Sequence, residues 1–133
     1  MKLIIDTNVI ISALIKNSLT RKIVNNLDYE FITPDFTLDE ISKHKGEICK
    51  KSGLNEDEFY ILISLLFCRI EIIPFSEYLS YLKEAQDIIG EIDIGDVSFI
   101  AIALLKQGDG IWSDDEHFKK QNKIKIWRTK DLI

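Results

Sequence analysis

The sequence predicts an α/β fold in which a mostly parallel sheet lies between two layers of helices. Two patterns lead to that class. Short apolar runs of strand length, residues 2–5 first among them, alternate with segments whose apolar side chains recur at helical spacing. The 133 residues hold two prolines and six glycines, with 46% hydrophobic and 29% charged side chains, an ordinary globular balance without linker, repeat or low-complexity tract. A chain of this length buries roughly two thirds of its unfolded surface around a single core, so one domain over residues 1–133 is expected.

Each element has a local reason. Residues 2–5 form a buried strand that ends at Asp6-Thr7-Asn8, and Val9, Ile10, Ala13 and Leu14 then set a helical stripe. A second short helix is expected over 19–27 and a second strand over 29–32, stopped by Thr33-Pro34 as N-cap and first helical residue. The helix from there carries Phe36, Ile41 and Ile48 to a stop at Ser52-Gly53. Asn55 to Glu58 supplies a capping-box start for a strongly apolar helix over 59–68. A third strand over 71–73 ends at Pro74. Amphipathic helices follow over 76–89 and 93–106, and then come a Gly108-Asp109-Gly110 turn, a strand at 111–112, a short helix near 115–121 and a last strand at 124–127.

Several classes are excluded or disfavoured. The longest apolar stretch, residues 61–68, is broken by Ser64 and falls far short of the roughly 20 residues that cross a bilayer. Asp6 stands where a secretory leader would carry its apolar segment. The expected compartment is therefore the cytoplasm, with Cys49 and Cys68 as free buried thiols. A net charge of −5, from 17 basic and 22 acidic side chains, argues as a bulk number against a nucleic-acid partner. Its distribution is uneven, with eleven acidic and three basic residues over 67–118 but one and six over 119–133.

In open parallel sheets ligands bind beyond the carboxyl ends of the strands, so polar residues directly after strands are the ones to examine. Asp6 follows the first strand, with Thr7 and Asn8 able to hold its carboxylate or to cap the next helix. Asp114 and Asp115 follow the strand at Trp112 in the same way, with Ser113 in the hydroxyl position. Asp93 and Asp96, three residues apart, share one face of a helix start, where they complement the dipole and Asp96 borders an apolar stripe. Glu40 sits beside Ile41 within a helix. Carboxylates gathered at one sheet edge repel and raise one another's pKa unless a cation neutralises them. Ligation by oxygen alone suits hard divalent ions such as Mg²⁺ or Mn²⁺, and phosphodiester hydrolysis is the natural chemistry of such a site.

These residues stand in four segments, LIIDTNVIISAL, TPDFTLDEI, DIGDVSFIAIAL and IWSDDEHF, whose order and spacing resemble the PIN-domain nucleases over essentially the whole chain. The resemblance implies a three-layer α/β/α sandwich around a mostly parallel, twisted sheet of four to five strands. It implies that Asp6, Glu40, Asp96 and Asp115 are the catalytic, metal-binding acids, with Asp93 as an additional ligand, Thr7, Asn8 and Ser113 as polar supports, and Asp114 as the rival for the fourth position. It further implies a Mg²⁺- or Mn²⁺-dependent endoribonuclease acting on single-stranded RNA, with one or two ions. Many family members of this size are toxins of type II toxin–antitoxin pairs, which implies a small antitoxin partner and a homodimer, the apolar helix over 59–68 being either buried in the monomer or the dimer face.

Lys43 and His44 are read as a solvated basic face that touches RNA, and Lys119 and Lys120, directly after the fourth acid, as the best-placed phosphate contacts. His117 is read as a surface histidine, and Trp112 and Trp127 as core or sheet-edge residues rather than base-stacking platforms. With four acids assigned to metal the chain is near neutral, so the bulk charge no longer disfavours RNA. A non-cleaving binding module has no need to keep the acids together. A phosphoacceptor receiver domain would need an acid after the third strand, where Ile73-Pro74-Phe75 stands.

Overall fold

The computed structural model describes residues 1–15, 18–90 and 94–133. In chain order the elements are β1 (Lys2–Ile5), α1 (Thr7–Leu14), α2 (Ser18–Val24), β2 (Glu30–Pro34), α3 (Phe36–Lys43), α4 (Lys45–Ser52), α5 (Glu56–Phe67), β3 (Ile70–Ile73), α6 (Phe75–Tyr78), α7 (Leu82–Ile89), α8 (Ile94–Lys106), β4 (Ile111–Trp112) and β5 (Ile126–Trp127). Short 3-10 turns lie at Leu79–Tyr81, Glu116–Lys120 and Thr129–Leu132. Among the described residues the strands form one five-stranded sheet in the order β3-β2-β1-β4-β5, parallel at every pairing.

Alternation along the strands divides the interior in two. Leu3, Ile5, Phe31, Ile70 and Trp112 face one layer, where they meet Val9, Ile10, Ala13 and Leu14 of α1, Ile41, Ile48 and the α5 residues Phe59 and Leu66. Ile4, Ile32, Ile73 and Ile111 face the other, against Tyr78, Ala85, Ile89, Phe118 and the α8 residues from Val97 to Ala103. β1 is apolar on both faces because it is central and covered on both sides. The chain runs outward from β1 through β2 to β3, then returns to lay β4 on the opposite side of β1. The strand order therefore reverses between β1 and β4, and the crevice at their carboxyl ends is the topological switch point.

Element boundaries differ from the sequence reading in several places. Thr33 and Pro34 belong to β2, paired with Ile72 and Ile73, because the Thr33 hydroxyl donates to Ile5 O (3.0 Å) rather than capping a helix. Asp35 thereby becomes the residue between β2 and α3. The segment expected as one helix up to Ser52 is two, divided at His44, each half burying one isoleucine, Ile41 or Ile48. The segment over 76–89 is likewise divided by a 3-10 turn. The capping box at Asn55 and Glu58 forms as expected, with reciprocal bonds of 2.8 and 3.0 Å.

Of the two free cysteines, Cys49 is half-buried and Cys68, expected to be buried, is exposed at the end of α5. α5 is only partly covered: Phe59 and Leu66 face the core while Tyr60, Ile61 and Leu65 are exposed. Among the described residues no helix is long and apolar enough to cross a membrane.

Gly110, with φ +132°, lets β4 begin against β5, where a Cβ would run into Lys125 O and lie 3.0 Å from the Trp127 ring. Gly110→Ala is expected to destabilise the fold by more than about 1 kcal/mol, lowering the thermal midpoint by several degrees. A melting curve that superimposes on that of the unsubstituted chain would contradict this account of the β4–β5 contact.

Candidate active site

Asp6 occupies the end of the central strand, 6% exposed, with its backbone N–H bound to Trp112 O across the switch point at 3.0 Å. It stands at the N-cap position of α1, yet its side chain makes no capping bond. Instead its Oδ2 accepts a buried hydrogen bond of 2.7 Å from Ser113 Oγ, directly after β4. The same Ser113 oxygen accepts the Asp115 N–H at 3.0 Å, so one hydroxyl fixes a carboxylate on β1 and the backbone of the next acid. Asp115 Oδ1 in turn accepts the His117 N–H at 3.0 Å, capping the 3-10 turn that follows. Asp96, in the first turn of α8 and 9% exposed, closes the group from the far side.

The electrostatics follow from this crowding. Burial raises the Asp6 carboxyl from its ordinary 3.8 to about 6; the Ser113 hydroxyl opposes the shift, and the charges of Asp115 and Asp96 add to it. His117 bridges the two outer acids, with Nδ1 3.4 Å from Asp96 Oδ2 and 3.5 Å from Asp115 Oδ1. Beside Asp6 runs a buried hydroxyl chain: Thr33 bonds Thr37 at 3.0 Å, and Thr37 meets Thr7 at 3.3 Å. The Thr7 hydroxyl braces α1 against α3 while the Thr7 backbone N–H bonds the Asp6 carboxylate, and the exposed Asn8 lines the cavity wall.

These groups open into a cavity of about 750 Å³ that extends from β4 past β1 to the end of β3. Glu40 and His44 line its wall. Glu40 is half-buried and paired with Lys43 at 3.4 Å, and His44 is paired with Glu47 at 3.6 Å. Lys43 is itself largely exposed and does not line the cavity. Asp114 is turned the other way, its two oxygens accepting from Thr129 N (2.9 Å) and Thr129 Oγ1 (2.6 Å), while Asp115 faces the other acids. Lys119 and Lys120 do not reach the acidic cavity. The 3-10 turn directs His117 toward the acids and Phe118 into the core, leaving both lysines on the wall of a separate cleft with Glu84 and Asp87. Asp93 lies outside the described residues.

The sequence model for the PIN domain matches residues 4–132. The chain belongs to the PIN domain family. No curated protein sequence matches it significantly. Among solved structures it is similar to a chain of VapBC2 from Rickettsia felis, crystallised with a DNA fragment from its promoter. The two share 16% identity over 96% of this chain and 98% of that one, with a TM-score of 0.73, a likeness of fold.

On this PIN fold the sequence reading missed Asp35 and Asp39. Both line the cavity, and Asp35 accepts the Phe75 N–H (3.0 Å) and the Tyr78 hydroxyl (3.1 Å), tying α3 to α6. Burial and the Asp35 charge push the Tyr78 phenol up to about 12, which keeps it a donor. Asp35 obeys the same rule as Asp6, an acid directly after a strand, but is hidden when β2 is ended two residues early. Among the described residues no group of three or more His, Cys, Asp and Glu side chains forms a ready ligand cage. The oxygen donors present, with Asp6 desolvated between two further acids, fit a hard cation held by one or two carboxylates and its own water.

The raised Asp6 value makes stability depend on pH. Asp6 binds its proton up to about pH 6 when folded and only to 3.8 when unfolded, so the native state holds more protons between these values and stability falls as pH rises. Above that window the cost reaches about 3 kcal/mol. Asp6→Asn is therefore expected to melt several degrees above the unsubstituted chain near pH 8 in EDTA, the gain disappearing below about pH 4. A gain that stayed constant across that range would contradict the burial argument.

Proposed function

We propose that this PIN-domain chain is a Mg²⁺- or Mn²⁺-dependent endoribonuclease that hydrolyses phosphodiester bonds of single-stranded RNA. The observation that carries the proposal is the desolvated Asp6 at the switch point, flanked by Asp96 and Asp115 and oriented by Ser113. PIN domains are nucleases, which supports the reaction class. A divalent ion bound by these carboxylates supplies activated water and neutralises charge on the phosphoryl group. The protein's part is positional. Ser113 fixes the Asp6 oxygen and, through the Asp115 amide, the spacing between the two strand-end acids. Asp96 approaches from α8, Glu40 from α3, and Asp93 is proposed as an additional ligand. Asn8 and His44 border the substrate path, and Lys43, exposed outside the cavity and paired with Glu40, is set back from it.

The likeness to VapBC2 supports a narrower reading, the toxin of a type II toxin–antitoxin pair acting in the cytoplasm and restrained by a small antitoxin protein. In that reading two copies meet along α5, whose Tyr60, Ile61 and Leu65 are exposed.

Purified protein with mixed single-stranded RNA should cleave in Mn²⁺ or Mg²⁺ and stop in EDTA. Asp96→Asn and Asp115→Asn are each expected to lower the rate by on the order of a hundredfold, as removal of a charge-organising group does elsewhere. Asp114→Asn should leave it within a few fold, since its carboxylate is committed to Thr129. Cleavage that persisted in EDTA and in Asp96→Asn would overturn the metal–carboxylate reading. Sedimentation tests the assembly: Leu65→Asp is expected to convert dimer to monomer, and an unchanged sedimentation coefficient would exclude α5 as the interface.

A further inference from the structure

We propose that Phe75 is a specificity residue, a stacking platform for an unpaired base of the nucleic acid held in the acidic cavity. The inference rests on the ribonuclease reading and adds to it where a nucleotide next to the scissile phosphate lies.

Phe75 is a cavity-wall residue and remains 46% exposed, costly for a large apolar ring. Its exposure is not looseness. The Phe75 N–H is bound to Asp35 Oδ2 at 3.0 Å, and the Tyr78 hydroxyl holds the other Asp35 oxygen at 3.1 Å. The Phe75 ring meets the buried Tyr78 ring nearly perpendicularly, with centroids 5.4 Å apart at 82°. One carboxylate thus positions both the backbone under the exposed ring and the ring that supports it. The other phenylalanines of the cavity are committed elsewhere, Phe36 and Phe99 packing edge-on against each other at 5.7 Å. Both tryptophans are unavailable, Trp112 fully buried and Trp127 donating to Asp109 O.

Position and charge point to a base rather than a phosphate. Phe75 follows β3 and Asp6 follows β1, two strand spacings apart, roughly 10 Å. That is within reach of a nucleotide neighbouring the one whose phosphate meets the acids. The wall between them carries Asp35 and Asp39, which repel a phosphate but accept the N–H edges of a base. An aromatic face stacks on a base of any sequence, and a carboxylate beside it can accept from the exocyclic amine of a base.

The test crosses a protein variant with a substrate lesion. Cleavage of a short unstructured oligoribonucleotide of mixed sequence in Mn²⁺ is measured for the unsubstituted chain, Phe75→Ala and Phe75→Trp, on intact RNA and on a series with one abasic position moved along the strand. Phe75→Ala is expected to raise KM about tenfold with kcat little changed, within the range that base–aromatic stacking contributes. Phe75→Trp should restore it. At one position near the cleavage site the abasic lesion should raise KM similarly for the unsubstituted chain and add nothing in Phe75→Ala. Effects that add at every position, or a Phe75→Ala KM equal to that of the unsubstituted chain, would overturn the platform while leaving the ribonuclease standing. An unsubstituted chain that cleaves no RNA would overturn both.

Discussion

The hydrogen bond from Ser113 Oγ to Asp6 Oδ2 crosses the one place where the strand order reverses. β1 is the strand to which both layers are anchored, through Leu3 and Ile5 on one face and Ile4 on the other. Its continuation past Ile5 must therefore leave the sheet while still enclosed. A carboxylate in such a position needs a donor. The Ser113 hydroxyl provides one and passes the constraint on through the Asp115 amide, so the register of β4 against β1 and the spacing of the acids are one geometric fact.

The arrangement places stability and proposed chemistry in opposition. A core that only had to be stable would end β1 in a neutral residue. Here the burial that raises Asp6 also strips it of water, which is what makes a desolvated oxygen a strong partner for a small hard cation. Around it the hydroxyls of Thr7, Thr33 and Thr37 bond mainly to one another and to Ile5 O, giving a rigid polar floor that contributes no further charge.

Much of this was legible in the sequence because it depends on periodicity and on which residues directly follow strands. The apolar runs at β1 and β4, the stripe of α8 and the capping box of α5 gave the layers, and the recurrence of an acid near a hydroxyl at Asp6-Thr7 and Ser113-Asp115 marked the two strand ends that line up in the candidate site. What periodicity could not show was side-chain direction. The spacing favours Asp115 with Asp114 as its rival, and the two part only in side-chain direction, Asp114 turned to Thr129 and Asp115 to the cavity beside His117. The lysines after Asp115 read as neighbours of the acids, yet a 3-10 turn rotates them to another cleft. Asp35 was hidden because Thr-Pro resembles a helix start, while in the fold the threonine spends its hydroxyl on the neighbouring strand.

The Asp6–Ser113 contact joins residues 107 positions apart. Local helices can form early, but closing so long a loop requires most of the chain to be in hand, and contacts of this separation are slow to form. A chain still emerging from the ribosome carries Asp6 without the Ser113 hydroxyl that holds it and without the Asp115 that the same hydroxyl positions. A chain cleaved after α8 would be in the same state. On the proposed reading, the complete acid centre exists only once the polypeptide that bears it is nearly finished.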